Sequence, residues 1–420
     1  MGYLTSNTYD AAGNRRSVQD ANALITSYTF QTIANRMRTS IDPMNFVTTY
    51  SWDVISRPAS RINPQGYAIT FLYNAQELWD ATVNELGFMT TQIYNAVELV
   101  GQVLDANDRT KTLTYDGARN NTRIVYSDGT RVTLAYDALN RLTMATDWAG
   151  VTTFAYSSRS ELIGKTDPGS LVQAYRYDGV RNQVGLTDPD GGLITNSFDA
   201  LNRPSYSIFQ SGYSFTALYD SAGRKTTLIA GTGSKESAAY DPTGRLTTLI
   251  ELNAASQPIS TVVSSYDPGG RKTVNAINGA VATYSYDNRS RLVGQVALGA
   301  CATFSYDSVS NMLLKWHQGQ VPQTMAYDAA SRLLTSTLGA TITSFSWDNV
   351  GSMLTSHTGA SLATYTYDGE NRPTNISWAS GALSTYSYQG YNGLRRTNSE
   401  PGQPTYTTVW DGSKYLGEYQ

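Results

Sequence analysis

Cysteine is almost missing from this chain: its 420 residues contain one, Cys301, so no internal disulfide can form and the redox compartment stays open. In "ALGACATFSYD" that cysteine falls on an expected strand, where it is expected as a small buried side chain. Histidine is nearly as scarce, with only His317 in "KWHQG" and His357 in "TSHTG". Nucleophilic catalysis usually needs a base beside the nucleophile. These two histidines lie at corresponding points of the pattern described below, two units apart, which puts them ~19 Å from each other across four strands. They are expected to be exposed turn-edge residues and cannot share a metal. Charged residues make up only 15% of the chain, against roughly 25% in an ordinary soluble domain. The net charge of −3, with lysines and arginines scattered singly, provides no footprint for nucleic acid. No apolar run approaches the roughly 18 residues of a membrane span. The opening "MGYLTSNTYD" has neither the charged nor the apolar part of a secretory signal. No Pro/Gly/Ser-rich linker or charge run divides the chain, which predicts one continuous array over residues 1–420 without separate domains.

Tyrosine is what the chain has instead. Thirty tyrosines, with many threonines and serines, form a mixture that favours strands. They recur in step. "YDALNRL" at 136–142 returns as "FDALNRP" at 198–204, close to three times 21 residues later. Aligned on an aromatic–Asp pair, copies run from Tyr9-Asp10 through Trp52-Asp53, Tyr136-Asp137, Phe198-Asp199, Tyr240-Asp241 and Tyr286-Asp287 to Trp410-Asp411. Degenerate copies fill the gaps at Phe30-Gln31, Tyr73-Asn74, Tyr94-Asn95, Tyr156-Ser157 and Tyr388-Gln389, giving twenty units. The step is 20 to 22 residues everywhere except the 26 from Asp241 to Asp267, which predicts an insertion near 252–259.

Each unit has a physical reading. "ATYSYD" at 282–287 alternates, with Tyr284 and Tyr286 on one face and Thr283 and Ser285 on the other, the period of a strand. D-x-x-G-R-L then gives a turn: Asp suits its first position, and a residue at positive φ completes a bulged hairpin. Gly or Asn suits that residue, as at Asn140, Asn202, Gly244 and Gly270. The expected hairpin pairs Tyr240 with Leu246 on one face and brings Asp241 to Arg245 on the other. The same turn is expected at Asp137/Arg141, Asp199/Arg203 and Asp267/Arg271, and the motif arginines Arg57, Arg224, Arg291, Arg332 and Arg372 are likewise assigned to the turn aspartates. A second turn closes each unit, as in "DPDGG" at 188–192, "DWAG" at 147–150 and "NPQG" at 63–66. The fold class is therefore all-β. About forty strands would make a flat strip ~190 Å wide, and since twist accumulates beyond about ten strands, the strip should curl into an open or hollow spiral.

The pattern Y-x-Y-D-x-x-G-R-L followed by G-x-x-T-x-Y-x-Y-D resembles the YD repeat of the rearrangement-hotspot (Rhs) family, which includes the C components of insecticidal toxin complexes and the teneurins. The resemblance covers essentially the whole chain and weakens at 74–99, where "YNAQELWD" and "YNAVELVG" lose the Asp and the Arg. It implies a spiral β cocoon that encloses a toxic cargo domain in bacterial relatives and forms part of an adhesion ectodomain in teneurins, with a secreted or cell-surface parent protein. The core-end signature and toxin domain of Rhs chains are missing, and the chain begins and ends mid-pattern, so a fragment or a reduced member is expected. No G-x-S-x-G, H-E-x-x-H, phosphate loop or paired-Cys spacing occurs. The expectation is a non-enzyme with no catalytic, cofactor-binding or metal residue, no cofactor, no nucleic-acid partner and no membrane span. Its partner would be a cargo domain, with adhesion or glycan binding through the tyrosine ladder as the second reading. A hydrolase built on the shell is the least supported.

Overall fold

The computed structural model describes residues 4–419. Among them lie forty strands of four to nine residues and no helix, and the strands form one antiparallel sheet in which successive strands pair. The all-β class and the curled strip of hairpin repeats both hold.

The hairpin behind the repeated phrase is visible in its register. Tyr136 pairs with Leu142, Phe198 with Pro204 and Tyr240 with Leu246, each beside a one-residue bulge. In the turn, Asp137 N–H donates to the Arg141 carbonyl and Asn140 N–H donates to the Asp137 carbonyl, both at 3.0 Å. The fourth residue is left-handed: φ is +59° at Asn140 and Asn202, and +89° at Gly244 and Gly270. That position is less exclusive than its glycines and asparagines imply. Ser160, Ser290 and Ser331 occupy it at φ of 61–64°, and Glu77, Glu98, Arg119 and Arg181 also occupy it. Strain at such a residue persists only where its surroundings over-determine it. Here two backbone hydrogen bonds and the side-chain oxygen of the turn's first residue, Asp, Asn or Ser, fix the loop.

The closing turns come in two lengths. Asp188 and Asn63 open turns of the same form as the first kind. Ile277↔Ala280 and Ala297↔Ala300 are instead bridged by two residues, and Asn278 and Gly279 are both at positive φ, as a tight primed hairpin requires. The long step between Asp241 and Asp267 appears as strand length: Leu246–Leu252 has seven residues and Pro258–Tyr266 nine, around a turn at 253–257 of ordinary form.

The chain divides into two compact units. One comprises Met1–Thr110, Ser264–Thr366 and Ser377–Gly381, and the other Lys111–Val263, Tyr367–Ile376 and Ala382–Gln420. Within the first, a closing turn of the early stretch meets a motif turn of the late stretch. Asn22, Gln65 and Asn107 donate side-chain amides to the carboxylates of Asp267, Asp307 and Asp348 at 3.4, 2.9 and 2.9 Å. Asp42 pairs with Arg289 at 2.8 Å, and Met44 lies against Arg291. Within the second, Lys111 and Tyr126 hold Glu370, and Asp147 reaches Gly390 and Arg396. The sheet thus curls back on itself inside each unit.

Candidate functional site

The repeat's polar residues build a joint between neighbouring units. Asp137 Oδ1 accepts from the backbone N–H groups of Leu139 and Arg141 at 2.9 and 3.1 Å, and Oδ2 accepts from Arg141 Nε at 2.6 Å. The Arg141 hydrogen bond, outweighing desolvation, holds the Asp137 carboxyl below its ordinary value. Arg141 then reaches forward. Its Nη1 donates to the Ser157 carbonyl at 3.2 Å, and the guanidinium lies 4.7 Å from the centre of the Tyr156 ring. Tyr156 Oη donates back to the Leu142 carbonyl at 2.9 Å, closing the loop.

The same joint recurs. Arg203 binds Asp199 at 2.7 Å and lies 4.4 Å from the Tyr219 ring, whose hydroxyl donates to Pro204 O at 2.7 Å. Arg224 binds Asp220, donates to the Asp241 carbonyl at 3.0 Å and covers Tyr240. Arg271 binds Asp267, donates to the Asp287 carbonyl at 3.1 Å and covers Tyr286 at 5.0 Å. Arg245 binds Asp241 at 2.6 Å. Arg57, Arg291, Arg332 and Arg372 pair with their own turn aspartates as well. Tryptophan can stand in for the tyrosine: Trp52 and Trp347 donate Nε1 to the Met37 and Leu333 carbonyls, both at 2.8 Å. Sequence reasoning placed the arginines on their own aspartates and missed the forward reach. The signal was present as an interval of 15 or 16 residues from motif Arg to the next repeat's aromatic, as in Arg57/Tyr73 and Arg224/Tyr240, broken only where the long step separates Arg245 from Tyr266.

At Tyr73-Asn74 the turn survives without the acid. Asn74 Oδ1 accepts from Gln76 and Leu78 N–H at 3.0 Å, as an Asp would, but Leu78 stands where the arginine belongs.

A second polar cluster, in the Lys111–Val263 unit, was not foreseen. Asp147, on a closing turn, pairs with Arg396 at 2.8 Å with 3% and 5% of their side chains exposed, and also accepts from Gly390 N–H at 2.8 Å. A side chain at Gly390 would collide with Val132. Nearby in sequence, Lys165 pairs with Asp167 at 2.7 Å, and Asp167 also accepts from Thr152 and Gln173. Tyr175 Oη donates to Gln173 Oε1 at 2.7 Å, and the Phe154 ring meets Tyr391 edge-on. Burial pushes the phenols of Tyr126, Tyr175 and Tyr391 well above the ordinary tyrosine range. Every ionic group here has an opposite charge or a donor beside it, an arrangement that fastens strands together.

Two sequence expectations need correction. Cys301 is half-buried, and the buried small side chain on this strand is its neighbour Ala302. His317 and His357 both lie within strands and not at turn edges, opposite Ala302 and Ser344; His317 is half-buried, its ring edge-on to Phe304 at 6.3 Å, and His357 is exposed. No group of three or more His, Cys, Asp or Glu residues that could hold a metal occurs among the described residues, and no helix among them is long and apolar enough to cross a membrane.

Comparison with known proteins agrees with this geometry. The RHS Repeat family matches residues 118–152. No curated protein sequence matches the chain. Among solved structures, the Tc holotoxin pore of Photorhabdus luminescens superposes on 99% of this chain with a TM-score of 0.79 at 12% identity. A TcdB2–TccC3 complex superposes on 97% with a TM-score of 0.70 at 14% identity. The chain spans only 27% and 28% of the length of those two chains. Residues 118–152 thus carry a recognised RHS repeat, the Asp–Arg–Tyr joint recurs from unit to unit on both sides of it, and the fold is shared with the toxin-complex structures.

Proposed function

We propose that this chain is a non-catalytic stretch of shell wall, a single continuous array that encloses or presents a cargo domain encoded outside it. The observation that carries this reading is the fold likeness to the toxin-complex proteins over 99% of the chain. The use of the repeat's side chains supports it. Asp, Arg and Tyr are occupied in joining one hairpin to the next, so the groups that might otherwise do chemistry hold the wall together. The parent protein would then act outside the cell or at its surface, and its cargo would be the reactive partner.

The adhesion reading is less favoured. Stacking a sugar ring requires a free aromatic face, yet arginines lie over Tyr73, Tyr156, Tyr219, Tyr240, Tyr286 and Tyr306.

Small-angle scattering on a verified monomer tests the proposal. A filled globule of 420 residues has a radius of gyration near ~22 Å. A wall places its mass away from the centre, so a value above ~25 Å is expected. A value near ~22 Å with the pair-distance curve of a filled globule would remove the physical basis for enclosure and move surface binding to first place.

A further inference from the structure

An apolar hollow lies where an ordinary repeat, Trp52-Asp53, meets a degenerate one, Tyr73-Asn74. In the unit containing Met1–Thr110, Met37, Tyr50, Trp52, Pro58, Ile69, Phe71 and Trp79 line a cavity of about 500 Å³. Two residues at one position of the repeat help line it: Trp52 pairs with Pro58 and Tyr73 with Trp79, where other units carry leucine, as at Leu142 and Leu246, or proline, as at Pro204. Proline is smaller than leucine at that position, and the tryptophan adds an aromatic wall. Both indoles are anchored, Trp52 Nε1 to the Met37 carbonyl and Trp79 Nε1 to the Ala81 carbonyl at 3.1 Å. Phe71 meets Trp79 edge-on at 6.3 Å, so the aromatic walls are fixed in place. Trp79 is nonetheless 46% exposed, with its ring open to whatever enters.

Arg61 is the only charged side chain lining the hollow. It sits opposite Tyr50 and Ile69 in the register, is exposed, and forms no ion pair among the described residues. The motif arginines in the joints are all paired with aspartates, so Arg61 differs from them in kind. An apolar, preformed pocket of this size with one polar group at its rim has the character of a small-molecule site. A free guanidinium presents a fork that suits a carboxylate. The ring walls suit a flat apolar body.

We propose that this hollow binds a small aromatic monocarboxylate, with the ring between Trp52, Phe71 and Trp79 and the carboxylate on Arg61. A sugar fits poorly, because the lining is mostly apolar, with Arg61, Ser51, Ser60, Thr82 and the Tyr50 hydroxyl its polar groups.

Cinnamate is a suitable probe. Calorimetric titration of the intact chain should give saturable binding of one cinnamate. Arg61→Gln should weaken it about tenfold, and cinnamyl alcohol should bind the unaltered chain about tenfold more weakly than cinnamate does. Pro58→Leu, which fills the hollow with the residue other repeats carry, should abolish binding while the β-sheet circular dichroism is kept. Should that variant fail to fold, Arg61→Gln, altering an exposed side chain, still decides the matter. Absence of saturable binding by the unaltered chain overturns the proposal. So does cinnamate binding as tightly to Arg61→Gln, or to folded Pro58→Leu, as to the unaltered chain.

Discussion

In the unit that includes Met1–Thr110, the buried apolar side chains are alanines: Ala81, Ala302 and Ala363. In the unit that includes Lys111–Val263 they are Tyr126, Val132, Ala145, Tyr175, Leu186 and Val409, joined by the buried ions Lys165, Asp167 and Arg396. Both are written in the same repeat. The first shows how little core the repeat demands, since each hairpin is fastened to the next by an arginine, a ring and two carbonyls. The second shows what is added where the polar faces of distant strands are sealed from water. Burying an ion pair gives little net stability, but removing one partner of such a pair is costly.

That contrast can be broken at its strongest point by Arg396→Ala. It strands the Asp147 carboxylate in a dry site and should cost about 3–5 kcal/mol in denaturant melts. Replacing Asp147 and Arg396 together by Asn and Met should recover most of the loss. An Arg396→Ala cost under about 1 kcal/mol, the range of surface pairs, would mean that the cluster is wet.

The turn comes next. Gly244 has φ of +89° with open space around the position of a side chain, so Gly244→Val is limited by backbone strain alone. It should lose about 1–3 kcal/mol, while Gly244→Asn stays near the unaltered chain, as Asn140 and Asn202 illustrate. Equal losses in thermal melts of the two variants would contradict the left-handed turn.

A single joint should matter less. Arg271→Ala removes the cover on Tyr286 and the bond to Asp287 O, and should cost about 1–2 kcal/mol. Arg271→Lys should recover only part, having no fork. Full recovery by lysine would show that charge alone suffices.

The mildest probe is pH. Hydrogen bonds from Arg141 and Arg203 lead in holding the Asp137 and Asp199 carboxyls below their ordinary value of 3.8. The unfolded chain therefore takes up protons first as pH falls through about 4. The contribution of these joints is complete above that point and is lost as pH drops through the lower folded values. Melts should be flat between about pH 5 and 7 and decline below about 4. A decline already complete by about pH 5 would have to come from other groups.

Much of this was legible before any coordinates. Alternation at Tyr284 and Tyr286, the 21-residue step and the Gly/Asn exchange at one site fixed strand, turn and repeat. The Arg–Tyr joint was written as a recurring interval but needed adjacent strands to give it meaning. The Asp147–Arg396 pair, 249 residues apart, had no local signature, because it depends on how tightly the strip curls. The hollow lies between an intact repeat at Pro58 and a worn one at Trp79, and loss of a motif residue does not announce what space it leaves.

The amide contacts at Asn22, Gln65 and Asn107 carry a consequence for how such a gene can change length. They meet Asp267, Asp307 and Asp348, and between them Met44 lies on Arg291. Amide and apolar side chain thus alternate from Asn22 through Met44, Gln65 and Leu86 to Asn107, like teeth on a rack. Recombination that deletes one 21-residue unit from the intervening stretch would slide the rack by one tooth and set Met44 against a carboxylate. Deleting two would bring Asn22 to Asp307 and Gln65 to Asp348, amide to acid again. A gene built on this seam should grow and shrink most safely in pairs.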